Sequence, residues 1–198
     1  MRIRDALPAD LPAIRAVYAH HVLHGTGSFE ERPPSLESMR ARYEAIVGAG
    51  LPWLVAEDDG PAAARPDDGD SDGSRGERRG SDGARAPPQL GYAYAGPWKA
   101  RSAYRFTVED SVYVAPGALG RGVGGALLGA LIARCTADGY RQMMAVVGDS
   151  GNLGSLALHR RHGFEVIGTA RAIGYKFGRW LDVVYLQRAL GDDADAGD

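Results

Sequence analysis

Glycines at positions 120, 122, 124 and 125 stand between a β-type run that stops at Pro116 and an apolar segment rich in leucine and alanine. Several backbone N–H groups exposed just before a helix make an anion site, and phosphate is its usual occupant. Three ligands fit that chemistry: a nucleotide, a dinucleotide or coenzyme A. A Walker A loop ends in Gly-Lys-Ser/Thr, whereas here Gly124 and Gly125 are followed by Ala126, so no lysine waits for a β/γ-phosphate. Gly120-x-Gly122-x-x-Gly125 does match the dinucleotide fingerprint, with Asp149 at the end of the next strand as a ribose ligand. The match is loose in a chain with 28 glycines and lacks the opening βαβ unit, so a nicotinamide-binding oxidoreductase stays an alternative.

The run before the glycines, "FTVEDSVYV", alternates. Thr107, Glu109, Ser111 and Tyr113 share one face, and Phe106, Val108, Val112 and Val114 share the other with Asp110. Such a polar face is either a solvated edge, with Glu109 in a surface ion pair, or the wall of a site. Further along, Asn152 and Ser155 open a helix, where Asn is a usual cap. His159 and His162 follow on that helix, His162 reading as a surface residue. His20 and His24 share a helical face with His21 between, but no cysteine or third ligand is near and no metal is expected. Cys135 is a single cysteine in the apolar segment, read as a small buried side chain.

These residues need a scaffold. The chain has 198 residues, 44% hydrophobic, with a formal net charge of -2, enough for one core and without the charge excess that suggests nucleic acid or membrane partners. "RIRDALPADL" after Met1 is not the apolar segment of a secretory signal, and no run reaches the roughly 20 apolar residues of a membrane span, so a soluble cytoplasmic protein is expected. "RIRDA" reads as a first strand. Asp10 is placed to cap a helix bearing Leu11, Ile14, Val17 and Tyr18; Ser35 is placed to cap a second with Leu36, Met39, Tyr43, Ile46 and Val47. Strands follow near 53–57, 90–96 and 106–114, then the glycines and a helix carrying Val123, Leu127, Leu131 and Cys135. "RQMMAVVG", a helix over 152–162, "FEVIGTA" and "LDVVYLQRAL" complete a mixed sheet of six or seven strands in a single α/β domain spanning 1–190. Residues 58–89, all charge, glycine, serine, proline and alanine but for Gln89, read as a flexible insertion lengthening a hairpin turn; 191–198 reads as a disordered acidic tail. Trp53, Trp98 and Trp180 read as packing residues.

The glycine segment resembles the pyrophosphate loop of the GNAT superfamily of acetyl-CoA-dependent N-acetyltransferases, with Gly122 and Gly124 as motif glycines and Leu119 where Gln or Arg is usual. "YAGPWKARSAYRFTVEDSVYVAP" (94–116), "MAVVGDSGNLGSLALHRRHGF" (144–164) and "GYKFGRWLDV" (174–183), with "TGSFEE" and "PWLVAEDDG", are similar to the phosphinothricin/methionine sulfoximine N-acetyltransferase group. The likeness covers about 2–190, except the insertion.

That resemblance implies acetyl-CoA as co-substrate and the α-amino group of phosphinothricin, methionine sulfoximine or methionine sulfone as acceptor, or another small amine or peptide terminus. It implies Glu109 as general base, Asp110 being the weaker candidate, and His159 or Tyr113 as the acid for the departing thiolate. Val112, Tyr113 and Val114 would meet the pantetheine arm; Gly120, Arg121, Gly122, Val123, Gly124 and Gly125 would hold the pyrophosphate; Asn152 would bind the coenzyme. Phe29, Tyr94, Lys99, Arg101 and Tyr104 match acceptor positions, where arginine forks onto carboxylate or phosphinate oxygens and lysine adds a mobile charge. A homodimer is implied as well.

Overall fold

The structure, a computed structural model, describes residues 1–58 and 88–191. The expected flexible insertion and acidic tail therefore lie, but for their ends, outside the described residues. Those ends are ordered: the Asp58 N–H donates to the Pro88 carbonyl at 3.2 Å, and Gln89 already belongs to a strand.

Seven strands form one sheet: β1 (Arg2–Asp5), β2 (Trp53–Glu57), β3 (Gln89–Pro97), β4 (Thr107–Val114), β5 (Gln142–Gly148), β6 (Glu165–Lys176) and β7 (Arg179–Ala189), in the order β1-β2-β3-β4-β5-β7-β6. β2 and β3 pair antiparallel across the insertion, as a hairpin. The one parallel pair among the described residues is β4 with β5, joined by the crossover helix α3 (Val123–Ala137). The all-parallel doubly wound sheet that the dinucleotide alternative requires is not what this chain forms.

The sheet is covered on both faces. α1 (Leu11–His24) and α2 (Leu36–Gly48) bury Leu11, Ile14, Val17, Met39 and Tyr43 against Trp53, Val55 and Tyr92. On the other face α3 and α4 (Leu153–Arg161) bury Val123, Leu127, Leu131, Cys135 and Leu156 against Leu54, Ala56, Val108 and Met143. Successive residues of β2 thus feed opposite cores, which is why "WLVA" is apolar without interruption. No helix among the described residues is long and apolar enough to cross a membrane.

Local details depart from expectation. Ser35 caps α2, accepting from the Ser38 N–H at 3.0 Å, but Leu36 and Val47 on that helix are exposed. Asp10 sits at the N-cap of α1 without capping it, because its carboxylate turns back to the Leu7 N–H and to the Arg4 guanidinium. Phe106 precedes β4 and is exposed. Trp53 is buried, whereas Trp180 is 65% exposed and meets Tyr175 edge-on.

Candidate active site

The site follows from a split in the sheet. β3 and β4 stay paired from Pro97↔Val108 to Gly91↔Val114, and β5 and β7 stay paired out to Gly148↔Val183. β4 and β5 pair only from Thr107↔Gln142 to Glu109↔Met144. Beyond Glu109 the two central strands part, and a cleft of about 1140 Å³ opens between them. The polar face of β4 is therefore the wall of an internal cleft, and not a solvated edge.

Glu109, Ser111, Val112, Tyr113 and Val114 line it from β4. At one end lies the glycine turn. Gly120 and Gly122 have φ of 77° and 78°, a left-handed backbone that glycine takes without strain and other residues rarely adopt. The Ala126 N–H makes the first helical bond of α3, to the Gly122 carbonyl, so the N–H groups of Val123, Gly124 and Gly125 precede it at the positive end of the helix. Gly120, Gly122, Val123, Gly124 and Gly125 all line the cleft. Arg121 does not; its guanidinium donates to Asp58 at 2.9 Å, tying the glycine turn to the start of the insertion. Asn152 caps α4 by accepting from the Ser155 N–H at 3.3 Å, which leaves its NH2 as the group it can offer a ligand. Asp149, the ribose ligand of the dinucleotide alternative, is engaged by Arg179 and the Gly151 N–H.

Burial, and then the charge of Asp110, push the Glu109 carboxyl above its ordinary pKa, with Lys99 acting in the opposite direction. Tyr113 packs its ring against Tyr18, His21 and Tyr92. Burial drives its phenol well above the ordinary value, so it stays protonated. His159 is buried, with Nε2 at 3.1 Å from Oδ2 of Asp110. Both residues line the cleft, on the side of β4 opposite Glu109 as the alternation requires.

At the other end, Tyr94 and Phe29 line the cleft. The Phe29 ring lies where a side chain on Gly148 or Gly174 would have to go. Lys176, buried, donates from Nζ to the carbonyls of Gly25 (2.9 Å) and Ser28 (2.6 Å) and so fixes the loop that carries Phe29. Lys99, Arg101 and Tyr104 are exposed on the β3–β4 connection and are not among the cleft-lining residues.

Four contributors escaped the sequence reading: Tyr18, His21, Asp110 as a partner of His159, and Lys176. Nε2 of His21 lies 2.8 Å from the Val114 carbonyl, on the cleft. The Tyr18 hydroxyl meets the Ser28 hydroxyl at 2.8 Å. A buried lysine in an otherwise exposed "GYKFGR" turn carries no local signal, since its acceptors lie about 150 residues earlier. Among the described residues no group of three or more His, Cys, Asp or Glu side chains is placed to hold a metal, and His162 is half-buried, its ring beside Gly125 and Gly129 of α3.

Residues 85–164 match the acetyltransferase (GNAT) family. The chain is 50% identical over 196 residues to a phosphinothricin N-acetyltransferase from Alcaligenes faecalis, covering 99% of this chain and 84% of that one. It is 40% identical over 188 residues to an L-methionine sulfoximine/L-methionine sulfone acetyltransferase from Pseudomonas paraeruginosa, covering 95% of this chain and 94% of the other. The crystal structure of a phosphinothricin acetyltransferase from Sinorhizobium meliloti, in complex with AcCoA, superposes with a TM-score of 0.82 at 41% identity, covering 100% of this chain and 91% of that one.

Proposed function

The chain belongs to the acetyltransferase (GNAT) family and is an acetyl-CoA-dependent N-acetyltransferase, and from that premise we propose that it acetylates the α-amino group of phosphinothricin, methionine sulfoximine or methionine sulfone type amino acids, with Glu109 as general base. The observation that carries this reading is the parting of β4 from β5: it sets Glu109 at the apex of a cleft whose far end is a glycine turn at a helix N-terminus.

An α-amino group has a reference pKa near 8 and is mostly protonated at pH 7, so a base is needed to free the nitrogen lone pair. Glu109, with its proton affinity raised, is suited to take that proton. The amine then attacks the thioester carbonyl, the carbon–nitrogen bond forms, and the carbon–sulfur bond breaks. His159 or Tyr113, both on the cleft wall, supplies the proton for the departing thiolate. The free edge of β4 at Val112–Val114 meets the pantetheine arm, the α3 N–H groups hold the pyrophosphate, and Asn152 contributes its NH2. Arg121, paired with Asp58 outside the cleft, holds the turn in place.

Phe29 and Tyr94 wall the acceptor end, and Lys99 stands near enough for its charge to act on Glu109. Arg101 and Tyr104 sit on the same connection and are assigned to the acceptor's carboxylate or phosphinate oxygens. Acetyl-CoA as co-substrate and a buried free Cys135 favour the cytoplasm. The exposed apolar side chains of β6 and β7 favour a homodimer.

The acceptor assignment is tested by initial rates with phosphinothricin, methionine sulfoximine, methionine sulfone, methionine and spermidine. The expected order puts the first three far ahead; turnover of spermidine alone would keep the family and discard the acceptor.

A further inference from the structure

Asp110 is the ionisable group on β4 that the reaction just described does not use. Its side chain and that of His159 are 2% and 6% exposed, and Nε2 of His159 lies 3.1 Å from Oδ2 of Asp110. The other ring nitrogen, Nδ1, lies 2.7 Å from the Ser155 carbonyl oxygen. A carbonyl only accepts, so Nδ1 carries a proton. With Asp110 as a carboxylate, which only accepts, Nε2 carries a second proton. In that state one extra proton is enclosed between a strand and a helix that meet on the cleft wall.

Stability is a poor reason for such a pair. Buried ion pairs seldom outdo well-packed apolar residues, and Oδ1 of Asp110 is buried with no protein partner among the described residues. Both residues line the cleft. We propose that Asp110 is a positioning residue for acetyl transfer: it holds His159 on the cleft wall as a doubly protonated ring, so that a proton for the departing thiolate is in place before the thioester is attacked. This rests on reading His159 as a proton source. In the step, Glu109 has already passed the ammonium proton on to water, and the neutral amine gives its next proton to Glu109 as the carbon–nitrogen bond forms. The carbon–sulfur pair leaves on sulfur, which takes the Nε2 proton of His159. Asp110 stays ionised, Nδ1–H stays on Ser155, and water then carries the proton from Glu109 back to His159.

The electrostatics agree in sign. Burial disfavours the charged ring, but the hydrogen bond and charge of Asp110 outweigh it, and the pKa of His159 is raised. The charged ring is present below that pKa and is lost as pH rises through it, which gives an alkaline limb of activity. Removing the charge of Asp110 lowers the pKa and moves that limb to lower pH. The other ionisable groups acting on the pair are Glu109 beside it on β4, Cys135 on α3, and His162, with Arg161 and Arg188 beyond it. Cys135 stays a neutral thiol, its pKa pushed up to about 12 by burial.

The test compares Asp110→Asn, His159→Gln and the double variant by kcat and KM across pH, and reads the protonation of His159 in the wild-type enzyme by nitrogen-15 NMR of labelled histidine. Asp110→Asn is expected to lower kcat about tenfold or more with KM for acetyl-CoA little changed, and to shift the alkaline limb downward. The double variant is expected to be no slower than His159→Gln alone, and both ring nitrogens of the wild-type His159 to read as protonated near neutral pH. An impaired His159→Gln beside a fully active Asp110→Asn with an unmoved limb would overturn the role of Asp110 alone. A fully active His159→Gln would overturn the reading of His159 and this proposal with it. Should Asp110→Asn not fold, a singly protonated His159 in the wild type would overturn the proposal by itself.

Discussion

Glu109 and Asp110 are neighbours in sequence with opposite fates, because a strand turns successive side chains to opposite faces. Glu109 stands at the last β4–β5 pair, where the cleft opens, and its carboxyl is lifted by burial. A base works only when ionised, so turnover should fall as pH drops through the raised pKa, giving an acid limb above the ordinary glutamate value of about 4.3. Lys99 opposes that rise, so Lys99→Ala should carry the limb higher still, which a pH profile of kcat/KM reads directly. A limb that stays put would detach Lys99 from the site. Alternation in "FTVEDSVYV" was enough to separate the two carboxylates. It could not join Asp110 to His159, since that contact spans 49 residues and depends on how α4 lands on the sheet. Lys176 was hidden for the same reason: its partners are loop carbonyls, which have no side-chain signature.

At the scale of elements, the cleft depends on β4 leaving β5 after three paired residues and on the turn that starts α3. Gly122 is the N-cap of that helix in a left-handed conformation. Gly122→Ala should cost about 1–2 kcal/mol of stability and raise KM for acetyl-CoA more than it lowers kcat, because it disturbs the anion-binding N–H groups and not the base. Thermal unfolding and a KM–kcat comparison check both parts; an unchanged KM would show that the turn does not hold the coenzyme. Most elements were legible from periodicity and punctuation: the Ser35 cap, the apolar stripe of α3 and the apolar runs of β2 and β5 all form where expected. Asp10 was misjudged because Arg4, six residues back, competes for its carboxylate. Leu36 and Val47 were misjudged because helical spacing alone does not tell how wide a stripe the sheet will cover.

For the molecule as a whole, seven strands and four α-helices among the described residues leave the β6–β7 ribbon unusually apolar. Ile167, Ile173, Tyr175, Phe177 and Trp180 on β6, β7 and their turn are each more than half exposed. A protein of this size rarely leaves such a group of large apolar side chains to water, and a second copy would cover them. Trp180→Asp should convert a dimer to a monomer in light scattering; a wild-type monomer would remove the assembly from the account. The mixed sheet itself was legible in the order of strand and helix signals, whereas its split between β4 and β5 was not, since no residue marks where two strands stop pairing. The central claim is that this cleft performs acetyl transfer with Glu109 as its base. The direct measurement is free thiol release from acetyl-CoA in the presence of phosphinothricin, for the wild type and for Glu109→Gln. The account predicts rapid acceptor-dependent release, lowered about 10²–10⁴-fold in the variant while acetyl-CoA still stabilises it against heat. Equal rates from the two proteins would contradict it.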